Sequence, residues 1–221
     1  MPRRADGSRT PPKNSLQIPC KSEDDGQDPK TRQILNAAAA AFMEHGFGPA
    51  SVDLIARNAG VSKATVYTRF ASKEAMFEAV VERERRRRHL DDVLTDSHPD
   101  FETRLRAWAA GMVRVFTDPI TTKVYRMVVA ESPRFPELGR AFYRSAPMAT
   151  RECLARQLEL HGAEAGLAID DPMQAAADFI GLLRGDLQLR VLLDVEHQPD
   201  ANRIDAVVDH AVRLFLRAYR T

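Results

Sequence analysis

Residues 51–70 place two stretches of helical periodicity on either side of one glycine, and no other feature constrains the fold as tightly. Ser51 is a good N-cap for the first stretch, whose Val52, Ile55 and Ala56 share one face. Ala59, Gly60 and Val61 make the corner, since Gly60 adopts the left-handed conformation that other residues resist. Ser62 caps the second stretch, in which Val66 and Phe70, four apart, point into a core. Lys63, Ala64, Tyr67 and Thr68 are left together on the opposite face. A short helix that offers a cation, a small residue and hydroxyls suits insertion into the major groove of double-stranded DNA. Paired amphipathic helices at a glycine corner also occur in helical domains with no such partner, so the flanking sequence has to decide.

The charge distribution is the first discriminator. The chain has 221 residues and a formal net charge of only +1. Residues 29–88 hold eleven Lys/Arg against six Asp/Glu, whereas residues 89–221 hold sixteen against twenty. The local values, +5 and −4, are those of a nucleic-acid module attached to a body with another task. Hydrophobic residues make up 44% and charged residues 29%, as in ordinary soluble proteins. No apolar run approaches the ~20 residues of a membrane span, and the N-terminus lacks the apolar core of a secretory signal. A cytoplasmic protein with no membrane partner is expected, with Cys20 and Cys153 as free thiols.

In chain order, residues 1–28 carry Pro, Ser, Gly and both charges with few apolar residues, and read as a disordered tail. Within it, Arg3, Arg4 and Arg9 are either an inert solvated segment or a basic arm. A helix over about 30–45 follows, with Ile34, Ala38, Ala41 and Phe42 as its stripe and Gly46 as its terminator. Past Phe70, Ser72 caps another helix with Met76, Phe77, Val80 and Val81 on one face. These two helices clamp the helix-turn-helix pair into a bundle. The Arg85–Arg88 run lies ~20 Å along that helix from Lys73 and reads as a solvated end favoured by the helix dipole.

Phe42, Gly46, Phe47, Ile55, Ala56, Ala59, Gly60, Val61, Ser62, Tyr67, Phe70, Ser72, Lys73 and Glu74, in this order, resemble the TetR family of bacterial transcriptional repressors. The resemblance covers about a quarter of the chain. It implies a homodimeric all-α repressor, with an N-terminal operator-binding domain and a C-terminal body that binds an inducer and dimerises. Lys63, Ala64, Thr65, Tyr67 and Thr68 match the recognition-helix positions and Lys73 a phosphate-gripping position, and with Ser51 and Ser62 they are the expected DNA contacts. Asp53 departs from the pattern, standing where the tetracycline repressor has a basic base-reading residue. A carboxylate cannot accept from guanine, so base readout is expected to be confined to residues 63–68. Ala64 replaces a common Gly or Pro, and its methyl is suited to touch a thymine methyl.

The remainder reads as helices. Phe101, Leu105, Trp108, Met112, Val115 and Phe116 form one stripe, and Pro119 opens the next with Val124, Met127 and Val128 inward. Residues 132–136 break the pattern, and Pro147 should kink the segment over 137–161. Residues 130–143 also resemble AcrR-like members of the same family. Large side chains that could line an apolar ligand cavity are Trp108, Met112, Phe116, Tyr125, Met127, Phe142 and Tyr143, although each also serves as plain core. Ala177, Gly181 and Gly185, four apart, form a smooth line for close approach of another helix. With Val208, Val212 and Phe215 of the last helix they are expected at a homodimer interface built as a four-helix bundle.

No nucleophile–base pair, phosphate loop or metal-ligand spacing is present, and His89 and His98 read as ordinary surface residues, so no enzyme activity, cofactor or metal is expected. The expectation is a tail over 1–28, a helix-turn-helix domain over 29–75 and a helical ligand-binding and dimerisation domain over 76–221. Its function is that of a DNA-binding regulator, a repressor released from its operator by a small-molecule inducer. The competing readings are a ligand-independent activator or architectural protein, and a helical enzyme or adaptor with a degenerate helix-turn-helix. Operator affinity that no metabolite changes marks the former, and absence of specific DNA binding the latter.

Overall fold

Side-chain caps set the starts of most helices in this computed structural model, which describes residues 28–95 and 100–220. The expected tail with Arg3, Arg4, Arg9 and Cys20, and also His98, lies outside the described residues. Helix α1 (Pro29–His45) begins where the Asp28 carboxylate accepts from the amides of Lys30 and Thr31, and ends at Gly46 with φ +82°. Helices α2 (Val52–Asn58), α3 (Lys63–Arg69) and α4 (Lys73–Arg86) start on the hydroxyls of Ser51, Ser62 and Ser72, each accepting from the amide three residues on. Gly60 takes φ +66°, and the Val61 amide returns to Ala56 O at 3.0 Å, which closes the α2–α3 corner.

The body comprises α5 (Leu90–Thr95), α6 (Phe101–Thr117), α7 (Pro119–Glu131), α8 (Pro136–Tyr143), α9 (Ala149–His161), α10 (Pro172–Leu192) and α11 (Ala201–Tyr219). Pro147 sits in a π-helical turn, Arg144–Met148, between α8 and α9. Proline cannot donate to the residue four back, and the widened turn accommodates that missing bond where the sequence indicated a kink. Among the described residues no helix is long and apolar enough to cross a membrane.

Two cores hold the chain. The first joins Ile34, Phe42, Phe47, Ile55, Val66, Met76 and Phe77 to Val128 of α7 and Leu138 of α8. Phe42, Phe47 and Phe77 form a triangle with ring centroids 5.4–5.8 Å apart, and Phe135 closes on Phe47 at 5.5 Å. The second core, from α6 and α9–α11, is built on Trp108, Phe179 and Phe215, with Trp108–Phe179 at 6.2 Å and Phe179–Phe215 at 4.9 Å. Helix α4 therefore belongs to the first core while packing against α8 of the body.

Several expectations need correction at α10 and α11. Val208, Val212 and Phe215 are buried in the second core, so they cannot form a surface for a partner. Their spacing gave the apolar face of α11 but not whether the chain's own helices cover it, and α6 and α10 do. Gly185 is not part of a smooth helical line, because φ +39° and ψ −148° break α10 there. No atom lies within 4 Å of a Cβ placed on Gly181 or Gly185, so no helix of this chain uses the space they leave.

Candidate nucleic-acid interface and ligand cavity

Helix α3 turns one face inward and one outward, as its sequence requires. Val66 is fully buried, while Lys63, Ala64, Tyr67 and Thr68 are exposed and Thr65 is half-buried. The Ser62 hydroxyl accepts from the Thr65 amide at 3.1 Å and shares a hydrogen bond with the Thr65 hydroxyl at 2.8 Å. Thr68 donates its hydroxyl back to Ala64 O at 2.8 Å, which leaves its methyl and an oxygen lone pair outward. Ser51 is likewise engaged as a cap, accepting from the Leu54 amide at 3.1 Å.

Lys63 is not a bare cation. Its Nζ lies 3.0 Å from the Asp53 carboxylate on α2, and that hydrogen bond raises its pKa. The Asp53 carboxylate thus acts on the recognition helix itself, partly offsetting the charge of its lysine in the free protein. Both side chains are exposed, so DNA phosphates can compete for the lysine.

Lys73 requires a correction. Its ammonium does not stand beside free helix amides, but donates to the carbonyl oxygens of Phe47 at 2.8 Å and Gly48 at 3.1 Å. It lies 4.3 Å from the centroid of the Phe47 ring, and burial pushes its pKa down. In this conformation Lys73 fastens the loop between α1 and α2 instead of offering its charge to a phosphate.

The amide side of the same loop is held from the body. The Glu131 carboxylate, at the end of α7, accepts from the amides of Phe47 at 2.8 Å and Gly48 at 2.6 Å. Two successive amides facing one carboxylate form an anion nest. Gly46 makes room for it, since a Cβ there would stand 2.8 Å from Glu131 Oε1. Glu131 was not among the residues singled out from sequence. Such a pairing is tertiary, and no periodicity announces it.

A cavity of about 460 Å³ lies between α1 and α4 on one side and α6, α7 and α10 on the other. Of the expected lining, Met112, Phe116, Tyr125, Met127 and Phe142 are present. Trp108 and Tyr143 are not. Trp108 is fully buried against Phe179, and Tyr143 is half exposed elsewhere. Periodicity marks apolar residues but does not separate close-packed core from cavity wall. Residues missed from sequence include Asn36 and Met43 of α1, Phe77 and Arg83 of α4, and Arg184 and Gln188 of α10.

The arginine run is corrected in part: Arg85, Arg87 and Arg88 line the cavity, while Arg86 and Arg88 are exposed as a solvated end should be. Arg85 pairs with Glu82 at 3.0 Å, Arg87 with Glu84 at 3.3 Å, and Arg88 with Asp118 at 3.3 Å. Among the described residues no cluster of three or more His, Cys, Asp or Glu is placed to hold a metal.

Comparisons with known proteins agree with this architecture. Residues 34–80 match the family described as bacterial regulatory proteins, tetR family, and residues 103–221 match the AefR-like transcriptional repressor C-terminal domain. A putative TetR-family regulator from Mesorhizobium loti is 28% identical, with TM-score 0.73 over 87% of this chain and 97% of its own. The flavonoid-responsive regulator FrrA is 34% identical, with TM-score 0.68 over 86% of this chain and 97% of its own. The uncharacterised regulator YhgD of Bacillus subtilis is 29% identical over 44% of this chain, which spans about half (52%) of that relative's length. With a helix-turn-helix head, an all-α body and family matches over both, the chain belongs to the TetR family of DNA-binding transcriptional regulators.

Proposed function

We propose that this protein is a repressor that binds a palindromic operator as a homodimer and is released when a small molecule fills the cavity between α4 and the body. The observation that carries the reading is the cavity's position. One wall is α1 and α4, which carry the head, and the other includes α7, whose last residue grips the head's loop. An occupant that moves α7 relative to α4 acts on the Glu131–Phe47 contact and on the angle of α3. The mechanism is a population shift between a form whose two recognition helices fit successive grooves and one whose helices do not. The similarity to FrrA, a flavonoid-responsive protein, supports responsiveness to a small molecule.

The reader of the operator is α3, through Lys63, Ala64, Tyr67 and Thr68, with the caps Ser51 and Ser62 at the phosphates. Lys73 joins them only if it leaves the loop carbonyls. The homodimer face is assigned to the outward side of α10 and α11, where Ala177, Gly181, Val207 and Leu214 are half-buried or exposed. Footprinting on the DNA upstream of the protein's own gene tests the reading. Two protected half-sites about one turn, ~34–36 Å, or a multiple apart are expected. Lys63→Ala with Tyr67→Ala should abolish them, and intact protection would refute the assignment of α3. Operator affinity unchanged across a broad library of apolar and amphipathic compounds would favour a ligand-independent activator or architectural protein.

A further inference from the structure

The cavity is apolar over most of its wall, yet its charges are unequal. Five arginines line it, Arg83, Arg85, Arg87, Arg88 and Arg184, against two carboxylates, Glu84 and Asp91. Four of the five are matched within the chain: Arg83 by Asn36 at 2.9 Å and Glu84 at 3.2 Å, and the other three by the acids described above. Arg184 differs. Its guanidinium lies 4.9 Å from the centroid of the Phe116 ring, and no acid pairs with it among the described residues. Its Nε is out of contact with water and has no hydrogen-bond partner. Gln188, further along α10, lines the same cavity.

A guanidinium beside an aromatic ring still offers its N–H donors in its own plane, where a carboxylate meets two of them with parallel hydrogen bonds. A guanidinium with no acidic partner in an apolar wall is unfavourable, and a molecule that brings an acceptor to it offsets that cost. A cationic occupant would meet an arginine that no acid offsets, and a neutral one would leave its charge uncompensated. At about 460 Å³ the cavity falls within the ~300–1,000 Å³ of small-molecule sites.

We propose that the ligand is an amphipathic organic acid, with its carboxylate on Arg184 and its apolar body among Met112, Phe116, Tyr125 and Phe142. This rests on the reading of the cavity as the effector site and specifies its chemistry. The acid's charge offsets the arginine excess, and its apolar part meets the Phe and Met side chains. Arg184 is then the specificity-determining residue.

The test uses matched probes on the full chain: decanoate, 1-decanol and decyltrimethylammonium, with 4-phenylbutyrate and 4-phenylbutanol as a second skeleton. Binding is followed by calorimetry and by release of footprinted operator DNA. The acid of each pair should bind at least tenfold more tightly than its alcohol. Arg184→Met should abolish that preference while 1-decanol still binds, and Arg184→Lys should retain part of it. Retained alcohol binding shows that the Met variant keeps its cavity. An alcohol or ammonium probe binding as well as the acid would overturn the proposal, as would acid preference persisting in Arg184→Met. If neutral probes release the operator and acids do not, the effector site stands and the acid assignment falls. If no probe of any charge binds, both fall.

Discussion

Glu131 and Phe47 are joined by a carboxylate–amide hydrogen bond of 2.8 Å across 84 positions of sequence. The second oxygen takes the Gly48 amide, so the body holds the head through both oxygens of one side chain. Replacing Glu131 by Ala strands two half-buried amides and should destabilise the protein by about 1.5–3 kcal/mol, the range for hydrogen bonds to charged groups. For a chain of this length that is about 3–12 °C in Tm. Operator affinity should fall and its response to any effector should weaken, as read by thermal melting and DNA titration. A melting curve superimposable on that of the parent would remove Glu131 from the account.

Gly46 and Gly60 both have positive φ, but only Gly46 faces a neighbour. Gly60→Ala should cost about 1–2 kcal/mol from left-handed strain alone. Gly46→Ala adds the clash with Glu131 and should cost more. In a Glu131→Ala background the clash should vanish while the backbone strain of φ +82°, ψ 175° remains, so a double-mutant cycle between positions 46 and 131 should be non-additive. Strict additivity in denaturant melts would show that the two do not interact.

Asp53 shields Lys63 in the free protein. Asp53→Asn should raise affinity for non-operator DNA several-fold at low salt and steepen the salt dependence by up to about one ion. Discrimination between operator and random DNA should then shrink. Binding isotherms at several salt concentrations measure both quantities, and an unchanged slope would mean that Asp53 does not restrain the lysine.

Asp28 accepts from the hydroxyl and amide of Thr31, and its carboxylate pairs with the Arg69 guanidinium at 3.2 Å. The Thr31 hydroxyl first, and Arg69 next, hold its carboxyl well below its ordinary value of 3.8. The folded form therefore binds this proton less tightly than the unfolded chain. Its stabilising contribution is complete above the ordinary carboxylate pKa and is lost as pH falls through the depressed one. Asp28→Asn should flatten the acid limb of the stability–pH curve below pH ~4 and leave the neutral region parallel to the parent. Identical acid limbs in parent and variant would contradict this.

Burial first, and neighbouring Asp91 next, push the Cys153 thiol up to about 11. At pH 8 about one molecule in a thousand then carries the thiolate, the reactive species. In a Cys20→Ser background, a thiol reagent should label Cys153 slowly until the chain is unfolded by denaturant. Rapid labelling of the folded protein would show an accessible thiolate.

What could be read from sequence was local. Ser51, Ser62 and Ser72 cap within three residues, Gly60 turns within one, and the exposed face of α3 follows from helical period once Val66 is inward. The cavity was legible only as a set of large apolar side chains. Trp108 and Phe116 lie on one stripe of α6, yet one meets Phe179 and the other lines the cavity. Which of the two a residue does depends on a neighbouring helix distant in sequence. The same reason hid Glu131, Arg184 and the inward turn of Lys73, and placed Val208, Val212 and Phe215 on the wrong side of α11. The break at Gly185 was hidden too, because glycine in a helix announces either a close neighbour or a bend.

The Phe47 ring, enclosed by Phe42, Phe77 and Phe135, bears on how such regulators can be recombined. A head excised at the start of α4 and grafted onto a foreign body would bring its amides at 47 and 48 to a surface with no carboxylate, and its central ring to one with no aromatic cover. The exchangeable part is therefore discontinuous. It consists of α1 to α4 together with the short stretch from Glu131 to Phe135, and chimeras that respect that seam should stay folded where simple N-terminal swaps aggregate.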